Sequence, residues 1–182
     1  MKIPLNYSYK FLSPRVVVLV TTVDEKGRIN AAPFSFCGPL SYNPPLLYVS
    51  VRSFQHTYQN IKKTGEFVIN IVNEDFSQKA IACEKNYPYG INELEKVGLN
   101  WYDSDKVKPP RVKEAKIHLE CKFVKELNTG DHIMIIGEIV AADAEDVKNN
   151  FLPDLTKLKT IIQASGEDFY SVGKFIKLKR ET

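Results

Sequence analysis

Short β-branched segments separated by turn residues dominate the first fifty residues and restrict the chain to a mainly β fold. Residues 15–23 are rich in valine and threonine, and they end in a turn where Gly27 can adopt a positive φ angle. Residues 28–40 and 46–51 continue the pattern, which indicates an antiparallel meander. Prolines at positions 33 and 39 require part of the second segment to lie at a sheet edge or in a bulge.

Helical segments are inserted among the strands rather than alternating with them. A helix is predicted from Ser53, a suitable N-cap, to Gly65, which suits a left-handed C-terminal position. Asn73 is expected to cap a second, short helix. A helical turn is predicted at residues 93–97, within a long excursion over residues 84–114. Such a long connection inside a small domain is more often functional or interfacial than idle.

The second half of the chain returns to strands. Apolar residues at 117, 119, 121 and 123 alternate with His118, Glu120 and Lys122, which predicts a half-buried strand with His118 on its solvent face. A turn at 128–131 leads into a further strand over 133–140. Because strands and helices do not alternate throughout, we expect a closed antiparallel barrel with appended helices rather than a doubly wound parallel sheet.

Length and composition indicate one globular domain over residues 1–182, with a C-terminal extension from about residue 150. Hydrophobic residues make up 43% and charged residues 26% of the 182 positions, as in an ordinary folded protein. The formal net charge of +3 is too small to predict a nucleic-acid partner, which needs many clustered cations. The dense basic stretch at 174–180 is expected to be a solvated face.

Targeting and redox signals indicate a cytoplasmic protein without a membrane segment. The longest apolar run, residues 16–20, is far too short to cross a bilayer, and the start of the chain lacks the apolar region of a signal peptide. The cysteines, Cys37, Cys83 and Cys121, are odd in number and widely spaced. They predict neither a disulfide framework nor a metal site, and free thiols indicate a reducing compartment.

The segment over residues 50–57 is the first candidate binding site. It ends a predicted strand and opens a predicted helix, so that free N–H groups and the positive end of the helix dipole converge there. Hydroxyl groups and a guanidinium beside such a helix start suit a phosphate. The candidate ligands are Ser50, Val51, Arg52, Ser53 and Thr57. The alternative is that Ser53 only caps the helix and Arg52 only faces solvent.

The segment over residues 30–36 is the second candidate. Small residues allow a flat ring to approach the backbone, and prolines leave specific N–H groups unpaired by the sheet. A flavin needs hydrogen-bond donors along the polar edge of its ring, because they stabilise the reduced form. The candidate residues are Asn30, Ala31, Ala32, Pro33, Phe34, Ser35 and Phe36. The alternative is a bulged barrel strand with aromatic packing.

Several chemistries have no motif in this sequence. It contains neither the glycine-rich dinucleotide fingerprint after a strand nor a phosphate-binding lysine loop. His56, His118 and His132 lack the spacing of metal ligands, and no nucleophile or carboxylate pair indicates a catalytic residue. This pattern is compatible with hydride transfer, in which the cofactor carries the reaction, and equally with no catalysis.

Taken together, these segments resemble the flavin reductase-like, FMN-binding split-barrel family, and its flavoredoxin-type members in particular. The similarity extends from about residue 15 to residue 140 and is densest in RVVVLVTT at 15–22, GRINAAPFSF at 27–36 and PP at 44–45. It continues with Thr57, NI at 60–61 and TGEFVIN at 64–70. VKPPR at 107–111 and LEC at 119–121 also match. The resemblance implies an antiparallel split β-barrel whose dimer interface holds FMN.

The resemblance also implies where each part of the cofactor binds. The ring is expected beside residues 30–36, and the phosphate near Ser50, Arg52, Ser53 and Thr57. In members that use NADH, a Gly-Asp-His turn is associated with the nicotinamide, and residues 130–132 match it. His132 is therefore a candidate nicotinamide contact, the alternative being an ordinary hairpin turn with a polar strand residue.

Three functions are compatible with these features. The first is an oxidoreductase in which NADH or NADPH reduces bound FMN, which then reduces free flavin or a redox protein partner. The second is an FMN electron carrier that never meets a nicotinamide, and the third is a non-enzymatic barrel that serves as a binding module. The excursion over residues 84–110 contains four aromatic residues, which predicts a contact in a homodimer.

Overall fold

The computed structural model describes residues 1–172 and contains fourteen strands and four α-helices in that range. The basic stretch at 174–180 lies outside the described residues. Three 3-10 helices span Leu5–Phe11, Glu74–Phe76 and Asn149–Phe151. The α-helices are α1 (His56–Thr64), α2 (Ser77–Ala82), α3 (Glu93–Val97) and α4 (Leu155–Leu158). The strands are β1 (Arg15–Val16), β2 (Val18–Val23), β3 (Ile29–Phe34), β4 (Cys37–Tyr42), β5 (Pro45–Val51), β6 (Glu66–Ile71), β7 (Trp101–Tyr102), β8 (Arg111–Val112), β9 (Ile117–Asn128), β10 (Ile133–Ala144), β11 (Val147–Lys148), β12 (Leu152–Pro153), β13 (Ile161–Ser165) and β14 (Asp168–Ser171).

A seven-stranded antiparallel sheet forms the barrel, in the order β3-β2-β6-β9-β10-β5-β4. Although three strands separate β2 from β5 in this order, Val18 of β2 and Val49 of β5 belong to one buried cluster, so the sheet closes around a common core. The expected mainly β fold with appended helices is confirmed. The expected meander is wrong, because β3 and β4 lie at opposite edges of the sheet instead of pairing.

Both prolines predicted to mark edges or bulges do so. Pro33 lies in the edge strand β3, and Pro39 lies in the opposite edge strand β4, where the pairing with β5 shifts register between Pro39 and Ser41. Proline has no N–H to donate to a neighbouring strand, so it is tolerated at these positions. The edge strand β3 later provides the floor of the candidate site.

A second buried cluster packs α2 and α3 against the outer side of β2 and β3. Leu19 and Ala31 contribute from the two strands, Phe76 and Ala80 from the segment that Asn73 caps. The C-terminal hairpin of β13 and β14 pairs with β1 and adds Ile161 to this cluster. The outer side of β3 is thereby bordered by helices on one side and by the C-terminal hairpin on the other.

Helix α1 begins two residues later than predicted. Its N-cap is Gln55, and no side chain caps its N-terminus, so the prediction that Ser53 caps this helix is wrong. Residues 52–55 instead form a turn in which the N–H of Gln55 donates to the carbonyl of Arg52. The predicted end is confirmed, since Gly65 adopts the left-handed conformation with φ of 72°.

The prediction that His118 lies on a solvent face of its strand is wrong. His118 is 3% exposed, with Nε2 2.8 Å from the carbonyl oxygen of Val112 and Nδ1 3.0 Å from a carboxylate oxygen of Asp143. Glu120 is also fully buried and accepts hydrogen bonds from the N–H groups of residues 105 and 106. The excursion folds back over this face of β9, which buries the polar side chains but supplies their partners.

None of the helices in residues 1–172 combines the length and the apolar character needed to span a membrane.

Candidate functional site

An open cleft of about 1170 Å³ lies along the edge strand β3. Its other sides are the start of α1, residues 83–87 after α2, and the C-terminal hairpin. Small-molecule sites commonly occupy roughly 300–1000 Å³, so the cleft has room for a ligand the size of a nucleotide cofactor. Ten of the twelve predicted cofactor residues line it, namely Asn30, Ala31, Ala32, Pro33, Phe34, Ser35, Phe36, Ser50, Arg52 and Thr57.

Two predicted residues do not line the cleft. The side chain of Val51 is fully buried in the barrel core, and Ser53 is exposed in the turn before α1. Alternation along β5 explains Val51, because successive side chains point to opposite faces and Ser50 takes the position toward the cleft. Any contribution of Val51 to a ligand would come from its backbone.

The floor of the cleft is the strand β3 with its small side chains. Asn30 is 6% exposed, and its side-chain N–H₂ group lies 3.3 Å from the hydroxyl of Thr22 and 3.2 Å from that of Thr57. The floor and the start of α1 are therefore held together by a buried hydrogen bond. Beyond Asn30, the methyl group of Ala31 is buried in the second cluster and Ala32 carries only a methyl group, so a planar ligand can lie close to the backbone.

Glu93 borders the floor and was not predicted from the sequence. It is the first residue of α3, is 4% exposed, and accepts a hydrogen bond of 2.8 Å from the N–H of Ala31. Burial raises the pKa of the Glu93 carboxyl above its usual value. The helical turn at residues 93–97 was predicted, but only the packing of α3 on β3 brings this carboxyl into the cleft.

Ser35 connects the floor to both ends of the chain. Its hydroxyl donates a hydrogen bond of 2.7 Å to Gln163 of β13 and lies 3.5 Å from Nε of Arg15. The Arg15 guanidinium lies over the ring of Phe36 at 5.6 Å and donates to the carbonyl of Ala164 at 2.8 Å. Gln163 was not predicted, because its side chain reaches the cleft only through the pairing of β1 with β13.

The start of α1 provides a set of unpaired donors at one end of the cleft. No side chain caps this helix, and the guanidinium of Arg52 is exposed and makes no hydrogen bond or ion pair within residues 1–172. Thr57 is 1% exposed, and its hydroxyl oxygen accepts from Asn30, which leaves its own proton available. Free N–H groups, a hydroxyl and an unpaired guanidinium together suit an anion such as a phosphate.

The predicted nicotinamide residue, His132, also lines the cleft. Its Nδ1 lies 2.8 Å from a carboxylate oxygen of Asp131, and its ring packs on Phe36 at 5.5 Å. The hydrogen bond and the charge of His132 lower the pKa of the Asp131 carboxyl. Because a carboxylate only accepts, Nδ1 carries the proton, and Nε2 makes no hydrogen bond within residues 1–172.

The wall formed by residues 83–87 is fixed in place by Tyr89. The Tyr89 hydroxyl donates a hydrogen bond of 2.9 Å to the side chain of Asn60. The Tyr89 ring packs edge-on against His56 at 5.0 Å, and the Arg28 guanidinium lies 5.3 Å from the same ring. Cys83 lies in this wall, and burial raises the pKa of its thiol to about 12. The thiol is therefore neutral at physiological pH and is not a candidate nucleophile.

The C-terminal hairpin contributes an aromatic side chain to the cleft. Phe169 lines the cleft and packs on the cluster beneath it, whereas Tyr170 on the next position is exposed and faces away. Within residues 1–172, no group of three or more His, Cys, Asp and Glu side chains converges as metal ligands would. The arrangement can bind and orient a planar anionic cofactor and place two imidazoles, those of His56 and His132, beside it.

Comparison with known proteins identifies the family and matches the fold. The sequence model of the flavin reductase-like domain matches residues 11–156. A protein of Shewanella frigidimarina described as a flavin reductase with a split barrel domain is 26% identical, with a TM-score of 0.89 over 98% of this chain and 94% of that one. Nitrilotriacetate monooxygenase component B of Bacillus cereus is 29% identical, with a TM-score of 0.88 over 98% of each chain.

An electron carrier is also similar in structure. Flavoredoxin of Desulfovibrio vulgaris (Miyazaki F) is 25% identical to this chain, with a TM-score of 0.84 over 98% of this chain and 97% of the flavoredoxin. These likenesses confirm the predicted antiparallel split β-barrel and the predicted family resemblance.

Proposed function

Because this chain belongs to the flavin reductase-like family, we propose that its cleft binds FMN and that NADH or NADPH reduces this flavin. The electrons then pass to free flavin or to a redox protein partner. The observation that carries the proposal is the group of unpaired donors formed by Arg52, Thr57 and the start of α1 at one end of a cleft with a small-residue floor. FMN consists of a flat ring and a phosphate at the end of a short chain. The ring matches the small-residue floor, and the phosphate matches the unpaired donors.

The residues present fit the phosphate end of FMN. The phosphate carries close to two negative charges near neutral pH, and the free guanidinium of Arg52 can bind two of its oxygens. The uncapped N–H groups of α1 and the Thr57 hydroxyl supply further donors. Riboflavin, which lacks the phosphate, would use none of these contacts.

The residues also fit the ring. Ala31 and Ala32 allow close approach, while Ser35 is held by Arg15 and Gln163 at the far end of the floor. The Ser35 hydroxyl and the Ala31 N–H are bound to Gln163 and Glu93, so ring atoms that gain electron density on reduction would need other donors there. Arg15 adds a positive charge beside Phe36, which favours a ring that becomes more anionic.

FMN supplies the hydride-accepting chemistry when it is bound, and the chain's residues bind and orient the reactants. His132 is fixed by Asp131 through Nδ1, so that Nε2 is available to orient a nicotinamide. The floor, the Tyr89-fixed wall and the hairpin exclude water from the covered parts of the cleft. No proton transfer by a side chain is needed for a hydride to pass from NADH or NADPH.

The second candidate is an FMN electron carrier without nicotinamide activity. The structural similarity to flavoredoxin favours it, and the phosphate and ring contacts would serve it equally well. The two functions differ only in the electron donor, so His132 is the residue that separates them. A non-enzymatic barrel is the outcome if the cleft binds no flavin.

A homodimer that completes the cleft is part of the proposal. The 3-10 helix Leu5–Phe11 has no buried residue, although several of its side chains are apolar. Leu5 is 87% exposed and Phe11 is 67% exposed. Tyr9 of the same helix lines the cleft and meets Phe36, so a second copy covering this helix would also cover the open side of the site. In the predicted excursion, Tyr89, Trp101 and Tyr102 are 37–39% exposed, so this segment is a second candidate for the interface.

The remaining parts of the proposal concern the extent of the domain and its compartment. We propose one flavin-binding domain over residues 1–182, since the C-terminal hairpin supplies Gln163 and Phe169 to the cleft. The free cysteines within it support a reducing, cytoplasmic location.

Two measurements on the purified protein test the function. FMN is added first, and quenching of its fluorescence should saturate with a dissociation constant below millimolar. NADH or NADPH is then added without oxygen, and loss of the flavin absorbance is expected. Bleaching by dithionite alone would select the electron carrier, and no saturable FMN binding would leave the non-enzymatic barrel.

A further inference from the structure

Glu93 is a buried acid in the wall of the cleft that the proposed hydride transfer does not use. It is 4% exposed, lines the cleft, and touches the floor directly through the hydrogen bond from the N–H of Ala31. The floor is where the flavin ring is proposed to lie. A change of charge on the ring would therefore change the electrostatic free energy of the ionised Glu93 carboxyl.

No cation compensates Glu93. The ion pairs within residues 1–172 do not include it. The groups that face it are the Ala31 N–H of β3, its own N–H in α3, and the Cys83 thiol at the end of α2. Burial and the nearby Glu93 charge hold the pKa of that thiol at about 12, so the thiol is uncharged near neutral pH.

Burying a carboxylate without a counter-ion costs more free energy than accepting one N–H hydrogen bond recovers. An isolated charge is strongly disfavoured in a poorly hydrated site, and such groups change protonation instead. A neutral glutamine could accept the same bond from Ala31 without this cost. An ionisable group at this position is therefore explained better by a change of its protonation than by its hydrogen bond alone.

We propose that Glu93 takes up a proton from solvent when the flavin bound in the cleft is reduced, which rests on the proposed function. The nicotinamide loses a hydride, and the flavin gains its two electrons and one proton to become an anionic ring. The Glu93 carboxylate then gains one further proton from water to become a neutral carboxylic acid. The oxidised nicotinamide balances the reduced flavin, and no other oxidant or reductant takes part.

The physical cause is repulsion between like charges at short range. An added negative charge near a carboxylate disfavours its ionised form, and the low local dielectric strengthens the effect. By thermodynamic reciprocity, an ionised Glu93 must disfavour the reduced flavin to the same extent. Glu93 thus couples the electron affinity of the site to pH while the hydrogen bond to Ala31 remains in place.

The first test is the two-electron reduction potential of the FMN-loaded protein as a function of pH. Wild type is compared with Glu93→Gln, which keeps the acceptor, and with Glu95→Gln, which makes the same change at an exposed residue of α3 outside the cleft. Uptake of one extra proton with two electrons steepens the potential by about 30 mV per pH unit, the equivalent of a tenfold change in equilibrium constant. Wild type and Glu95→Gln should show this extra slope and Glu93→Gln should lack it; equal slopes in all three overturn the proposal.

The second test needs no variant, so it decides the question even if Glu93→Gln fails to fold. In protein labelled with ¹⁵N-alanine, the Ala31 amide signal reports the protonation of Glu93. Its pH midpoint should be higher with reduced FMN than with oxidised FMN. Identical midpoints in FMN-loaded protein overturn the proton uptake alone, whereas failure of FMN to bind at all overturns the proposed function together with it.

Discussion

The hydroxyl of Ser35 donates a hydrogen bond of 2.7 Å to the side chain of Gln163, a residue 128 positions later in the chain. The bond joins the floor of the cleft to the C-terminal hairpin. Gln163 in turn donates to the carbonyl of Gly166 at 2.8 Å, which fixes the hairpin turn at the rim. The C-terminal region is therefore a part of the candidate site rather than an appendage to the barrel.

Replacing Gln163 with leucine should weaken FMN binding by about two- to tenfold, because one neutral hydrogen bond contributes roughly 0.5–1.5 kcal/mol. Fluorescence titration measures the effect, with Ser171→Ala in the same hairpin but outside the cleft as the control. Equal FMN affinity in wild type and Gln163→Leu would mean that the hairpin does not support the ring.

Replacing Arg52 with alanine should weaken FMN by about ten- to a hundredfold and leave riboflavin binding almost unchanged. A hydrogen bond to a charged group contributes roughly 1.5–3 kcal/mol, and about 1.4 kcal/mol corresponds to tenfold in affinity. Lys63→Ala, at the other end of the same helix, removes one charge without touching the cleft and should bind both ligands as wild type does. Equal weakening of FMN and riboflavin would place Arg52 away from the phosphate.

Replacing His132 with alanine should slow anaerobic reduction by NADH or NADPH by about tenfold, the loss of one hydrogen bond of roughly 1.4 kcal/mol, while FMN stays bound. Stopped-flow absorbance measures the rate. Asp131→Asn keeps the imidazole but weakens its support, so a smaller decrease is expected. An unchanged rate in His132→Ala would remove this residue from the nicotinamide site.

The protein should have twice the chain mass in light scattering, with the N-terminal 3-10 helix in the interface. Phe11→Ser should raise the dimer dissociation constant by roughly tenfold or more, since burying such a side chain contributes about 1.5–3 kcal/mol. Ser8→Ala, on the same helix, is the control. If the wild-type protein is a monomer in light scattering and still binds FMN, no dimer interface completes the cleft.

The thiols should be nearly inert in the folded protein. Burial raises the pKa of Cys37 and of Cys83 to about 12 and raises that of Cys121 further, and alkylating reagents attack only the thiolate. At pH 8, iodoacetamide should modify none of the three in the native state and all three in denaturant. One rapidly modified cysteine in the native protein would indicate a local opening of the barrel.

Local patterns predicted most strands but not which faces they bury. The alternation around His118 and Glu120 correctly indicated a strand, yet it implied a polar surface. In the structure, the excursion covers that surface, and both side chains are buried with hydrogen-bonding partners from distant residues. A period of two identifies a strand, but it cannot reveal a loop that folds back over one face.

The candidate site was predicted where its residues are close in sequence. The two segments at 30–36 and 50–57 contain thirteen of the residues that line the cleft, ten of which were predicted individually, because each segment includes a strand end or a helix start with a local chemical pattern. Glu93 and Gln163 were missed, since each reaches the cleft only through packing or strand pairing over long separations. The start of α1 was misplaced because Ser53 has the chemistry of a cap, whereas the turn at 52–55 excludes it from that position.

The arrangement of β3 also protects the protein from aggregation through this edge. An exposed edge strand normally offers outward N–H groups on which a strand of another molecule can add. Along β3, the outward N–H of Ala31 is already bound to Glu93, and Pro33, two residues further on the same side, has no N–H to offer. The edge of β3 can therefore border a cofactor cleft and still offer no N–H group at Ala31 or Pro33 to a strand of a neighbouring chain.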